Sequence, residues 1–230
     1  RPEPATAPPD RSSLASRTGF LLSVTAIALA GLCYRGILTF LPLHLARNSG
    51  GILSNLDPVG AGGLLTTFCL LIGMGGQYFG GRIGHLAFAD RIYGILLLGA
   101  VPFPFLMGYL NGLPLVLAAA AFAFFFFAAQ PLGNLLVARH SGESRRSLGY
   151  GISFSLNFGI GSLAAPASGW IAQEAGLAAA FPAMGIPLAG AILFSWILSR
   201  TVTGGKTGRR ESLPGFPDRP SRTAAPLDDR

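Results

Sequence analysis

The chain has 230 residues; 50% are hydrophobic and 12% charged, with 32 Gly, 17 Phe and a formal net charge of +7. That profile excludes an ordinary soluble domain and matches a helical membrane protein. The basic residues fall between apolar runs rather than in one patch, which argues against a nucleic-acid surface.

Residues 1–18 are rich in Pro, Ala and Arg and read as a disordered cytoplasmic linker. The sequence begins with Arg1 rather than Met, so a fragment, a processed form or a trimmed chain is expected. Residues 19–45 form the first apolar run, too long for a secretory signal core. A polar loop containing Asn48, Ser49, Asp57 and Pro58 closes it. Further spans are predicted over 62–81, 92–110, 113–138, 147–172 and 177–199, with Asn111-Gly112 as a tight turn before the fourth. Pro102 and Pro104 predict a local kink in the third. Residues 200–230 carry Pro, Gly, Arg and Asp without an apolar face and read as a disordered cytoplasmic tail. The domain plan is therefore 1–18, a six-helix transmembrane domain over 19–199, and 200–230. Cys33 and Cys69 lie inside apolar runs and read as buried free thiols.

Charge distribution tests the helix count independently. Of the 17 Lys and Arg residues, fifteen fall in the lead-in, the tail and the two loops that share their side of the membrane. The alternate loops hold Arg47, and Arg35 is the one formal charge inside a predicted span. The positive-inside rule then places both termini in the cytoplasm. The expected location is a bacterial inner (plasma) membrane, multi-pass.

In the fifth span, Gly149, Ser153, Asn157, Gly161, Ala165 and Gly169 recur every fourth residue. On a helix this makes a slowly winding stripe without bulk, where a neighbouring backbone can approach. It suits either tight helix packing or a moving or substrate-lining face. Asn157 sits near mid-span, where an amide without a partner is costly, so it is expected to face protein or water.

Arg35 is the sharpest functional candidate. A charge at that depth faces a cavity or a partner, and its guanidinium suits a carboxylate or phosphate; the alternative is that it snorkels or binds a neighbour's carbonyls. Thr39 lies one turn on. Gln130 and Asn134 are one turn apart with Pro131 between them, a residue expected to kink the helix and open a polar pocket. Hydrogen bonds between helices explain the two amides equally well. Phe124 to Phe127 read as lipid-facing and packing bulk. No Asp or Glu falls inside a predicted span, and His44, His85 and His140 lie at span ends or in loops without metal-ligand spacing. An enzyme is therefore not expected, and neither is a metal or cofactor.

Several stretches resemble the major facilitator superfamily of transporters. The pattern RRSLGYGISFSLNFGIGSLAAPASGWIAQEAGLAAAF over 145–181 is similar to the penultimate helix of that family and the link after it. RGILTFLPLHL over 35–45 is similar to the helix opening its second half, and GGQYFGGRIGHLAFADRIYG over 75–94 to its cytoplasmic loop between a second and third helix. In this last stretch His85 stands where the family has an acid, and Asp90-Arg91 follows later without the basic cluster. The resemblance implies an all-α membrane protein, six transmembrane helices forming half of a twelve-helix fold, with substrate bound between halves. The chain would be the carboxyl-terminal half of a secondary transporter for a small organic solute, with a lean toward an anion. Its partners would be the solute, membrane lipid and an amino-terminal half absent from this chain. Because the first and fourth helices line the cavity in that family, Arg35, Thr39, Gln130 and Asn134 are implied as lining residues, and Asn157 is counted with them. A proton-coupling acid, if one exists, would belong to the other half. The competing expectation is an autonomous six-helix protein, acting as a homodimeric transporter, a channel subunit or a noncatalytic interaction fragment.

Overall fold

A computed structural model describes residues 11–84, 88–141 and 146–207, with side chains over 17–84, 88–141 and 146–200. The described residues form eight helices and short turns, without a strand. They are α1 (Arg11–Asn48), α2 (Pro58–Ile83), α3 (Ala89–Ala100), α4 (Pro102–Met107), α5 (Gly112–His140), α6 (Arg146–Ser162), α7 (Ala164–Ala175) and α8 (Leu177–Thr207). Taking α3 with α4 and α6 with α7 gives six crossings. Five segments are long and apolar enough to span a bilayer: Arg17–Asn48, Pro58–Ile83, Ala89–Met107, Gly112–His140 and Leu177–Arg200. This is a multi-pass, all-α membrane protein.

Both composite crossings break where proline removes a backbone donor. Pro102 and Pro104 lack the N–H that would bond the carbonyls of Leu98 and Ala100, and the chain turns at Val101. Pro166 does the same to Ser162. There the Leu163 N–H bonds the carbonyl of Ile160 at 3.1 Å, a three-residue closure that tightens the turn. Pro131 behaves otherwise: α5 continues unbroken through it. Local signals set the other ends. The Asp57 carboxylate accepts from the Gly60 N–H at 2.9 Å, capping α2 in front of Pro58 at its first turn. Gly176, at φ +89°, permits the sharp link between α7 and α8.

Three boundaries differ from the sequence expectation. α1 already begins at Arg11, inside the segment read as a disordered linker, and α8 runs on to Thr207, into the segment read as tail. α3 begins at Ala89 rather than 92, which brings Asp90 onto a spanning helix and corrects the expectation that no span holds an acid. Hydropathy places a boundary where charges appear, whereas a helix continues as long as its backbone bonds are made. The remaining linker and tail residues, with His85 and Arg145, lie outside the described residues.

α1 and α5 form the centre. α1 packs against α2, α5, α6, α7 and α8, and α5 against α1, α2, α3, α4 and α6. Burial follows: α5 is buried on several faces, with Leu115, Ala119, Phe122, Ala128, Leu132 and Leu136 among its core residues. His44, 2% exposed, staples α1 to α4, its Nε2–H donating to the Met107 carbonyl at 2.8 Å. The Asn48 amide donates to His44 Nδ1 at 3.2 Å, and together these bonds fix one neutral tautomer.

The closest backbone approach lies between α2 and α5. Gly73, Gly76 and Gly80 share the buried face of α2. A Cβ at Gly76 would strike the Phe124 carbonyl, one at Gly80 the Ala128 carbonyl, and one at Gly73 the Phe127 ring. This seam was not singled out from sequence.

Candidate functional site

Along α6 the first part of the small-residue stripe faces inward. Gly149, Ser153 and Gly161 are buried and Asn157 is half-buried. Beyond the break at Leu163 the inward face moves back by one residue: Ala164 and Ser168 are fully buried, whereas Ala165 and Gly169 are half-buried. The tightened turn changes the phase of the helix, which an unbroken four-residue spacing does not anticipate. Gly169 still meets α1, where a Cβ would contact the Phe40 ring at 3.6 Å.

The inward face of α6 closes a cavity of about 250 Å³ against α1, α3 and α5. Arg35, Gln130, Asn134 and Asn157 all line it. Thr39 does not. Its exposed hydroxyl donates to the Arg35 carbonyl one turn back at 2.8 Å, which turns it away from the cavity.

Arg35 lies along α6 rather than reaching toward water. Its guanidinium carbon sits 4.3 Å from the centre of the Phe158 ring. A Cβ at Gly161 would lie 2.6 Å from Arg35 Nε, so the bare backbone there is what lets the side chain lie flat. No Asp or Glu belongs to the cavity wall, and Arg35 is its one formal charge.

Asn157 supplies the second feature. Its side chain lies over Gly31 of α1, where a Cβ would collide with Oδ1. That Oδ1 is buried and accepts no hydrogen bond. An unsatisfied buried amide is costly, so the arrangement suits a site that receives a polar ligand or water.

Compared with known proteins, the chain matches no protein-family model and no curated protein.

Five aromatic rings share the wall with Ile27, Leu97 and small residues, and sequence reading passed over them. Tyr34 stacks on Phe126 with ring centres 5.0 Å apart, and Phe154, Phe158 and Tyr93 are the other aromatic lining residues. Phe126 is 5% exposed, and Phe127 covers Gly73, so within the run read as lipid-facing and packing bulk these two rings pack inward. The available signal was the pairing of Tyr34 beside Arg35 with Phe154 and Phe158 one turn apart. At one end of the site, the Tyr150 hydroxyl donates to the Asn134 carbonyl at 3.3 Å and ties α6 to α5. Among the described residues no group of three or more His, Cys, Asp or Glu is placed to hold a metal ion.

Chemically, the site offers a guanidinium, amide donors and acceptors, and flat apolar walls. It can orient a small molecule with an acidic end and a planar or apolar body.

Proposed function

We propose that this chain is the carboxyl-terminal half of a secondary transporter of the major facilitator superfamily type, moving a small organic anion by alternating access without catalysing a reaction on it. The observation that carries the reading is the convergence of Arg35, Gln130, Asn134 and Asn157, from three helices, on one cavity with a single fixed charge. The central placement of α1 and α5, the first and fourth crossings, agrees with the resemblance in the sequence. So does the broken penultimate crossing, since a helix with small residues and a hinge can shift against its neighbours.

Binding tests the solute class. The purified chain is titrated with benzoate, succinate and benzamide, the last being the neutral counterpart of benzoate. Saturable binding of a carboxylate, with benzamide weaker by roughly thirty-fold or more, is the expected result. Benzamide binding as tightly as benzoate, or no saturable binding of either carboxylate, contradicts an anion site.

Orientation is tested by labelling. Asn55 and Gln173 are exposed at one end of the bundle and Ser147 at the other, while native Cys33 and Cys69 are both fully buried. Single cysteines at Asn55 and Gln173 are expected to react with an impermeant thiol reagent on intact cells, and one at Ser147 only after lysis. The reverse pattern overturns the cytoplasmic placement of the termini.

A further inference from the structure

The Arg35 cavity has a second polar end that the binding of an anion leaves unused. Tyr93 of α3 lines it and is 3% exposed. Its ring lies where α1 and α5 come close, since a Cβ at Gly133 would stand 3.4 Å from both Tyr93 and Ile27. Ile27 and Arg35 both line the cavity and are two turns apart on α1, about 12 Å along the axis, so phenol and guanidinium belong to opposite ends. A buried tyrosine normally gives its O–H to a partner. Among the described residues no hydrogen bond engages the Tyr93 hydroxyl. Between the two ends, one turn from each, Gly31 carries the Asn157 side chain, whose Oδ1 is also without a partner.

These two groups restrict what the far end of a ligand can be. A second carboxylate would accept from Tyr93 but set negative charge near the bare Asn157 oxygen, with Arg35, the one formal charge of the wall, already engaged. An ammonium group would satisfy that oxygen but finds no acid in the wall to balance it. A neutral hydroxyl does both, accepting from the phenol and giving its proton to the amide oxygen. A cavity of about 250 Å³ suits a single substituted ring between the two ends.

We propose that Tyr93 is a specificity-determining residue, selecting an aromatic carboxylate that carries a neutral hydroxyl at the end remote from its charge. The proposal rests on the anion site at Arg35 and extends it to the third crossing, whereas the resemblance in the sequence points to the first and fourth. The carboxylate lies at Arg35, Tyr93 O–H donates to the ligand's hydroxyl oxygen, and that hydroxyl donates to Asn157 Oδ1. A ligand without the hydroxyl leaves both groups unpaired, which is the source of the discrimination.

The purified full chain is titrated with para-hydroxybenzoate, para-fluorobenzoate and benzoate; fluorine is close to a hydroxyl in size but gives no proton and accepts poorly. Para-hydroxybenzoate is expected to bind more tightly than para-fluorobenzoate by roughly ten-fold or more. Equal affinity for these two, with all three ligands binding saturably, overturns the proposal and leaves the anion site standing. No saturable binding of any of the three overturns both. Tyr93→Phe is expected to lower the hydroxy-to-fluoro ratio by about five-fold, chiefly by weakening para-hydroxybenzoate. An unchanged ratio in the folded variant overturns the role of Tyr93. Fluorotyrosine in place of Tyr93 keeps the phenol and serves where Tyr93→Phe does not fold. Its fluorine resonance is expected to move further with para-hydroxybenzoate than with benzoate, and equal movement with the two overturns the assignment.

Discussion

Alanine at Gly80 is expected to destabilise the bundle by about 1–3 kcal/mol, toward the upper end, because the obstruction is a backbone carbonyl that cannot rotate aside. The added methyl would fall on the oxygen of Ala128, and α2 and α5 would have to separate along their shared length. Gly76→Ala meets the Phe124 carbonyl and should behave alike. The control lies on the same helix. Gly75 and Gly81 are exposed, with nothing within 4 Å of a Cβ, so alanine there should stabilise α2 by about 0.5–1 kcal/mol through helix propensity. Detergent melting of the four single variants separates a packing seam from a general intolerance of α2 to substitution. Similar melting temperatures for all four would remove the seam.

Both seams are built from small residues, yet only one was legible beforehand. On α6 a strict four-residue recurrence that also takes in Ser153 and Asn157 made the stripe visible despite Gly151 and Gly159. On α2, Gly73, Gly76 and Gly80 are interspersed with Gly75 and Gly81, and composition alone does not say which glycines face a neighbour. The six crossings were legible because bilayer thickness fixes their length and charges mark their ends. What sequence could not supply was phase. The one-residue shift from Ala165 to Ala164 arises at Leu163 from the missing donor of Pro166, and Pro131 leaves its own helix unbroken.

The polar residues of the candidate site were legible for a simpler reason: a charge or amide inside an apolar run is rare and expensive. Arg35, Gln130, Asn134 and Asn157 stood out against their surroundings and line one cavity. Thr39 did not join them, since a hydroxyl can satisfy itself on its own helix. Asp90 was missed because a boundary drawn at 92 left it in a loop, although an acid in the first turn is a common helix start. The aromatic walls were hidden by abundance, since 17 Phe residues give no hint of which few turn inward.

Replacing Arg35 by Gln is expected to abolish tight anion binding while leaving the bundle folded. Among the described residues no carboxylate forms an ion pair with Arg35; its guanidinium rests on the Phe158 ring, and removing it leaves no buried acid unpaired. The structural loss is therefore that one cation–aromatic contact, about 0.5–2 kcal/mol. The binding loss is larger. A hydrogen-bonded charge pair removed from a dry site costs about 2–5 kcal/mol, roughly thirty-fold to several thousand-fold in affinity. Arg35→Lys should recover part of it, because an ammonium keeps the charge but loses the planar two-donor fork and lies less well on Phe158.

Benzoate affinity and melting temperature, measured on the same purified samples of the unaltered chain, Arg35→Gln and Arg35→Lys, test the central claim most directly. The account predicts an affinity order of Arg, then Lys, then Gln, with Gln at least roughly thirty-fold weaker and all three melting within a few degrees. Unchanged benzoate affinity in a folded Arg35→Gln chain, with a lowered melting temperature, would contradict it and make Arg35 a packing residue.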